Sequence, residues 1–292
     1  TEGGGAARTI WGISLNTNEL ALGGGAEQLR WLGKTLTAVR SRADSAILLG
    51  HIPPGPSHFE LDSICAPGHY YSRAGGACWE ARAQRRLVHL LSSFADVLPA
   101  SYWGHHHTES VRIVAEEQRG HARARRGGAG GDGDAHAQHV MFLSPSLTPR
   151  NPPHDPTLRL YHYSRSTGRP LDFSEWRLDV TRANARGRAE WVRAPSALHT
   201  PPLNLSSMSA EAWGDSLRAM LAYDHRPTSA EELLPLDPFL AWVGRERCAR
   251  EAYVDSGRKE VPPLRKCKLA HLCAALHLAD GPYSECIGQP VA

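Results

Sequence analysis

Thr9-Ile10-Trp11-Gly12-Ile13-Ser14-Leu15 and Ser45-Ala46-Ile47-Leu48-Leu49-Gly50-His51 bracket the stretch that decides the fold. Both segments are apolar and rich in isoleucine and leucine, the composition of buried strands. Between them, residues 26–39 carry Leu29, Leu32, Leu36 and Val39 at helical spacing, which predicts an amphipathic helix. Strand, helix and strand in that order make a βαβ unit, so the chain reads as α/β (α+β), with helices packed on a sheet.

The same alternation continues. Residues 52–77 form a long loop punctuated by Pro53, Pro54, Pro56, Gly68, Gly75 and Gly76. Loops of that length are uncommon unless functional or tied down, and Cys65 and Cys78 stand ready to tie this one. Residues 79–93 read as a helix, and residues 97–103 as a strand ending at Gly104-His105-His106-His107. Further strands are predicted at 111–114, 139–143 and 158–163. Residues 116–138, rich in Arg, Gly, Ala and His, interrupt them and read as a disordered surface insertion. From residue 172 the character changes, with helical patterns at 209–222, 229–256 and 267–278. The predicted division is therefore 1–171, the sheet-bearing part, and 172–292, a helical region containing four cysteines.

Two strand ends carry the candidate chemistry. Gly50-His51 and Gly104-His105-His106-His107 each follow an apolar strand, and in α/β folds ligands bind beyond the carboxyl ends of strands. Neutral imidazole is the commonest nitrogen ligand for zinc, and a preceding glycine lets the backbone turn sharply at the site. Were the segment extended, His105 and His107 would point to one side and His106 away, towards a supporting or solvent position. Two metals about 3.5–4 Å apart would then each take one of the pair. His58 and His69, in the overhanging loop, read as surface residues.

Composition removes other classes. A formal net charge of +3 is too mild for a nucleic-acid polymer partner. No apolar run approaches the roughly 18–20 residues of a membrane helix. The six cysteines contain no Cys-x2-Cys knuckle, so disulfides are expected over zinc, with about 15 pairings open. The chain opens on Thr1 with no visible signal peptide and is read as beginning inside a longer protein. Asn204-Leu205-Ser206 is the one glycosylation sequon.

A wider set of motifs follows in order: Gln28-Leu29-Arg30-Trp31-Leu32, Gly50-His51-Ile52-Pro53-Pro54-Gly55, Gly104-His105-His106-His107-Thr108-Glu109-Ser110, Phe142-Leu143-Ser144-Pro145-Ser146-Leu147-Thr148-Pro149, Leu158-Arg159-Leu160-Tyr161-His162-Tyr163, Ala183-Asn184, and Lys266-Cys267-Lys268-Leu269-Ala270-His271-Leu272-Cys273. This set resembles the acid sphingomyelinase and acid sphingomyelinase-like phosphodiesterases, calcineurin-like metallophosphoesterases, along their C-terminal part. The resemblance implies the C-terminal half of a metallophosphoesterase β-sandwich flanked by helices, followed by a small disulfide-stapled helical region. It implies two zinc ions, with His51 and His105 on one and His107 on the other. It also implies the pairs Cys65–Cys78, Cys248–Cys267 and Cys273–Cys286.

By the same resemblance the full-length protein hydrolyses a phosphodiester, sphingomyelin or nucleotide-like, through a hydroxide activated by two zincs that attacks phosphorus. The family's other ligands and its general-acid histidine would lie upstream of Thr1. Asp132 and Asp134 fall in the insertion, and no Gly-Asn-His occurs. This chain alone is therefore expected to be inactive. A secreted or lysosomal, glycosylated monomer is implied. The alternative is a catalytically inactive secreted binding module that keeps the fold. A generic metallophosphoesterase acting on monoesters is disfavoured by the stapled C-terminal region.

Overall fold

A computed structural model describes residues 8–56, 79–107, 109–115, 137–148, 155–194, 198, 203–222 and 264–288. Strand β1 (Ile10–Ser14) leads through α1 (Thr17–Ala21) and α2 (Ala26–Ser41) to β2 (Ser45–Leu49). The two strands pair in parallel, Ile10 opposite Ser45 and Ser14 opposite Leu49, which is the expected βαβ unit. Leu29, Leu32, Leu36 and Val39 of α2 are all buried, as the helical spacing requires. Burying each such side chain contributes about 1.5–3 kcal/mol.

Helix α3 (Ala81–Ser93) crosses to β3 (Ala100–Trp103), followed by β4 (Ser110–Ala115) and β5 (Ala137–Leu143). Together they complete a five-stranded sheet of order β1-β2-β3-β5-β4. All neighbours are parallel except the β5–β4 edge. Side chains alternate between its faces. Trp103, Val114, Met141 and Leu143 join the apolar stripes of α2 and α3 in one core. Val111, Ile113, Val140 and Phe142 point the other way, into a second core with Phe173, Trp213 and Leu272.

The second core is closed by a three-stranded antiparallel sheet of β6 (Thr157–Tyr163), β7 (Pro170–Leu178) and β8 (Trp191–Ala194). Tyr161 bridges the two sheets, its ring 4.6 Å from Tyr102 and 5.4 Å from Phe142 between centroids. Helix α4 (Val180–Arg186) links β7 to β8, capped at its start by Asp179. Helices α5 (Ala210–Ala222) and α6 (Leu264–Leu276) pack on the same core, and α7 (Asp280–Gly288) is joined to α6 by the disulfide Cys273–Cys286. The architecture is the mixed α/β sandwich with a stapled helical end that the resemblance implies.

Three readings need correction. Strands β7 and β8 lie in the region read as helical, and β7 runs through residue 172, where the sequence places a boundary. Their alternation is masked because the inward face of β7 carries buried Glu175 beside Phe173, a charge that periodicity counts as outward. Ala137 and Gln138, read as insertion, are the first residues of β5. Helix α7 is unpredicted, since Gly281 and Pro282 in its first turn read as breakers although proline is tolerated there. The rest of the insertion, the helical pattern at 229–256, and Cys65, Cys78 and Cys248 lie outside the described residues.

Candidate active site

The ends of β2 and β3 are neighbours, and the parallel ladder runs on past both. Gly50 N donates to Tyr102 O at 2.9 Å and Gly104 N to His51 O at 3.0 Å. This continuation brings His51 and His105 to one sheet edge. Nε2 of His51 lies 3.3 Å from Nδ1 of His105, with the rings edge-on at 5.1 Å between centroids.

The loop after β2 is held from several sides. His51 N and Ile52 N both donate to the buried Thr17 Oγ1, at 3.2 and 2.8 Å. Trp79 Nε1 donates to Ile52 O at 3.2 Å. Arg112, on β4, is almost wholly buried and sends its guanidinium to the carbonyls of Pro54 and Pro56. Burial pulls this guanidinium down to about 9, with Tyr283 acting in the opposite direction, so it stays a cation at neutral pH. A charged donor to two carbonyls is a strong tether.

The second loop is a turn rather than an extension of the strand. His106 N donates to Gly104 O at 2.9 Å, and His105 has φ +72°, the pattern of a γ-turn with positive φ. His107 is also left-handed, at φ +58°. The extended geometry that would align His105 with His107 is therefore absent. Positive φ at a residue with a side chain stores strain, and such strain clusters at functional sites. His106 turns inward and is buried. Burial holds its imidazole well below the usual range, helped by Arg112, His105, His271 and His107. His107 stands half-buried at the end of the turn.

Two residues beyond His107, Glu109 is fully buried and begins an ionic ladder into the second sheet. Arg177 Nη2 contacts Glu109 Oε1 and Glu175 Oε1, each at 2.8 Å, and Arg159 Nη2 contacts Glu175 Oε2 at 2.5 Å. The histidine turn is thereby anchored to β6 and β7. Sequence reasoning gave no role to Thr17, Glu109 or Arg112. The signal for Arg112 is present, a lone charge inside the apolar run Val111-Arg112-Ile113-Val114.

The donor set fits zinc in one respect. Two nitrogens each about 2.0–2.1 Å from a tetrahedral zinc stand about 3.3–3.4 Å apart. The His51–His105 separation matches that edge, and equally the length of a hydrogen bond between the two rings. Among the described residues, no group of three or more His, Cys, Asp or Glu side chains is arranged to hold a metal. Asp132, Asp134, His58 and His69 lie outside the described residues, and Asn204 is exposed.

Comparison with known proteins bears on the family. No family model matches the chain. A sphingomyelinase phosphodiesterase C of Dictyostelium discoideum is 28% identical over 214 residues, 68% of this chain and 42% of that protein. Acid sphingomyelinase-like phosphodiesterase 3b of Mus musculus is 20% identical over 273 residues, 89% of this chain and 48% of its own length. A cyclic GMP-AMP phosphodiesterase of Homo sapiens is 23% identical over 194 residues, 61% of this chain and 36% of that protein. The chain spans about half the length of the curated relatives it matches, 42% and 48% for the first two. Among its described residues no helix is long and apolar enough to cross a membrane.

Proposed function

We propose that the chain is the C-terminal part of a zinc-dependent phosphodiester hydrolase of the acid sphingomyelinase-like type. The observation that carries this reading is the His51–His105 pair at the ends of adjacent parallel strands, with nitrogens at the spacing of two zinc ligands. The relatives are named as phosphodiesterases, which supports this reaction class.

In this reading His51 and His105 hold one zinc and His107 a second. Bound zinc supplies Lewis-acid activation of water and stabilises charge on the phosphoryl oxygens. The chain's own residues supply position. Thr17 and Arg112 fix the backbone that carries His51, and the Glu109–Arg177 pair fixes the turn that carries His105 and His107. The buried His106 packs against His105, 5.7 Å away between ring centroids.

The remaining ligands and the general acid belong, by the resemblance, to a segment upstream of Thr1. The 292-residue chain by itself is therefore proposed to be inactive. The substrate is a phosphodiester of the sphingomyelin or nucleotide class. The protein is proposed to be secreted or lysosomal and glycosylated at Asn204, which is exposed and left-handed at φ +46°. The test is hydrolysis of bis(p-nitrophenyl) phosphate with and without zinc. Zinc-dependent turnover by the full-length protein but not by the 292-residue chain is expected. Robust turnover by the chain alone contradicts its inactivity, and none by either favours a binding module.

A further inference from the structure

The loop that carries His51 is also wired to the far end of the chain. Gly55 N donates to Gln84 Oε1 at 2.7 Å, and Gln84 Nε2 donates to Leu278 O at 2.5 Å. The two contacts span 29 and 194 residues of sequence, so a single side chain on α3 links the first strand end to the C-terminal helices. Both ends are enclosed: Gln84 and Leu278 are buried, and the Leu278 side chain belongs to the core around Trp79 and Trp103. The fit is close. At Gly55, with φ +96°, an added Cβ would stand 2.7 Å from Arg112 Nη1 and 2.8 Å from Leu278 Cδ2.

Leu278 sits in the short link between α6 and α7, inside the 13-residue span closed by Cys273–Cys286. The staple therefore fixes the carbonyl that Gln84 reads. A primary amide offers a donor and an acceptor on one planar end, so Gln84 can hold Leu278 and Gly55 at once. An ionised Glu at this position would keep the acceptor and lose the donor.

We infer that Gln84 is a positioning residue that couples the Cys273–Cys286 helical hairpin to the His51 loop. The order of residues 51–56, and with it the presentation of His51, depends on an intact staple. The link to metal binding rests on the proposed metal site; the coupling itself does not.

Amide hydrogen exchange on the full chain tests it, with Gly55 as the probe and Met141 of β5 as a core reference. Losing a hydrogen bond that protects one amide speeds its exchange by roughly tenfold. Gln84→Met, and separately the double variant Cys273→Ala with Cys286→Ala, which removes this staple alone, are each expected to accelerate Gly55 by about that factor while Met141 changes little. Adding Gln84→Met to the double variant is expected to add almost nothing, because the relay is already cut. Gln84→Glu is expected to keep Gly55 protected with the staple in place and to be insensitive to its removal. The inference is overturned if removing the staple leaves Gly55 unchanged, or if Gly55 and Met141 accelerate together. Should Gln84→Met fail to fold, the double variant alone decides by the same comparison of Gly55 with Met141. Zinc titration of the same samples separates the two readings: absence of zinc binding by the full-length wild type removes the metal site and leaves the exchange result to decide the coupling.

Discussion

The indole of Trp103 occupies the space that a side chain at Gly50 would need: a Cβ there would lie 2.3 Å from Cζ3 and 2.6 Å from Cε3. The glycine before His51 is thus required by packing against the next strand, rather than by its own backbone angles. Gly50→Ala must displace a buried tryptophan whose Nε1 donates to Ser101. We expect a loss of about 1–3 kcal/mol in urea denaturation, the usual cost of overpacking a close-packed core. Zinc affinity of the full-length protein should fall as well, since His51 moves with Gly50.

The ladder that anchors the histidine turn makes a second prediction. Arg159 and Glu175 have side chains only 4% and 2% exposed, so neither charge has water to fall back on. Arg159→Met leaves Glu175 with Arg177 alone and should cost about 3–5 kcal/mol in denaturant unfolding. The double variant Arg159→Met with Glu175→Leu should recover much of that, because a matched apolar pair replaces a matched ionic one.

His139 sets a pH dependence. Its Nδ1 lies 3.0 Å from Leu98 O and its Nε2 2.9 Å from Ser101 Oγ, which also accepts from Trp103. Burial pulls this imidazole from 6.5 down to about 4, partly opposed by the Leu98 carbonyl. Between those values the unfolded chain binds a proton that the folded chain refuses. The contribution is complete above the unfolded value and is lost as pH falls towards the folded one, by on the order of 3 kcal/mol. His139→Gln cannot titrate, so its stability deficit against wild type should shrink as pH falls from about 7 to about 4. A deficit independent of pH would contradict a neutral buried His139.

Expression through a secretory pathway should add a glycan at Asn204. Ser206→Ala removes the sequon while leaving the left-handed asparagine in place, and is expected to abolish the mass increment with little change in stability. An unmodified wild-type chain contradicts the proposed glycosylation.

The sheet and the strand-end histidines were legible because their signals are local. Leu29, Leu32, Leu36 and Val39 announce α2, and Gly-His after an apolar run announces each strand end. Parallel pairing of β2 with β3 then brings His51 to His105 without further information. What stayed hidden depends on partners remote in sequence. Glu175 reads as a surface charge until Arg159 and Arg177 are placed beside it. Gln84 reads as an ordinary helix residue until Leu278 arrives from the far end of the chain. The turn at His105 was misread because strand continuation is the default after an apolar run, and only the Gly104–His106 hydrogen bond reveals the reversal.

His51 and His105 are proposed to hold the metal of a phosphodiesterase. Zinc-dependent hydrolysis of bis(p-nitrophenyl) phosphate by the full-length protein, compared with His51→Ala and His105→Ala, tests it most directly. Disturbing even an outer partner of a metal ligand costs about 10–100-fold, so each variant should lose at least ~100-fold in activity with bound zinc reduced and the fold retained. Wild-type activity and full zinc occupancy in either variant would contradict the account.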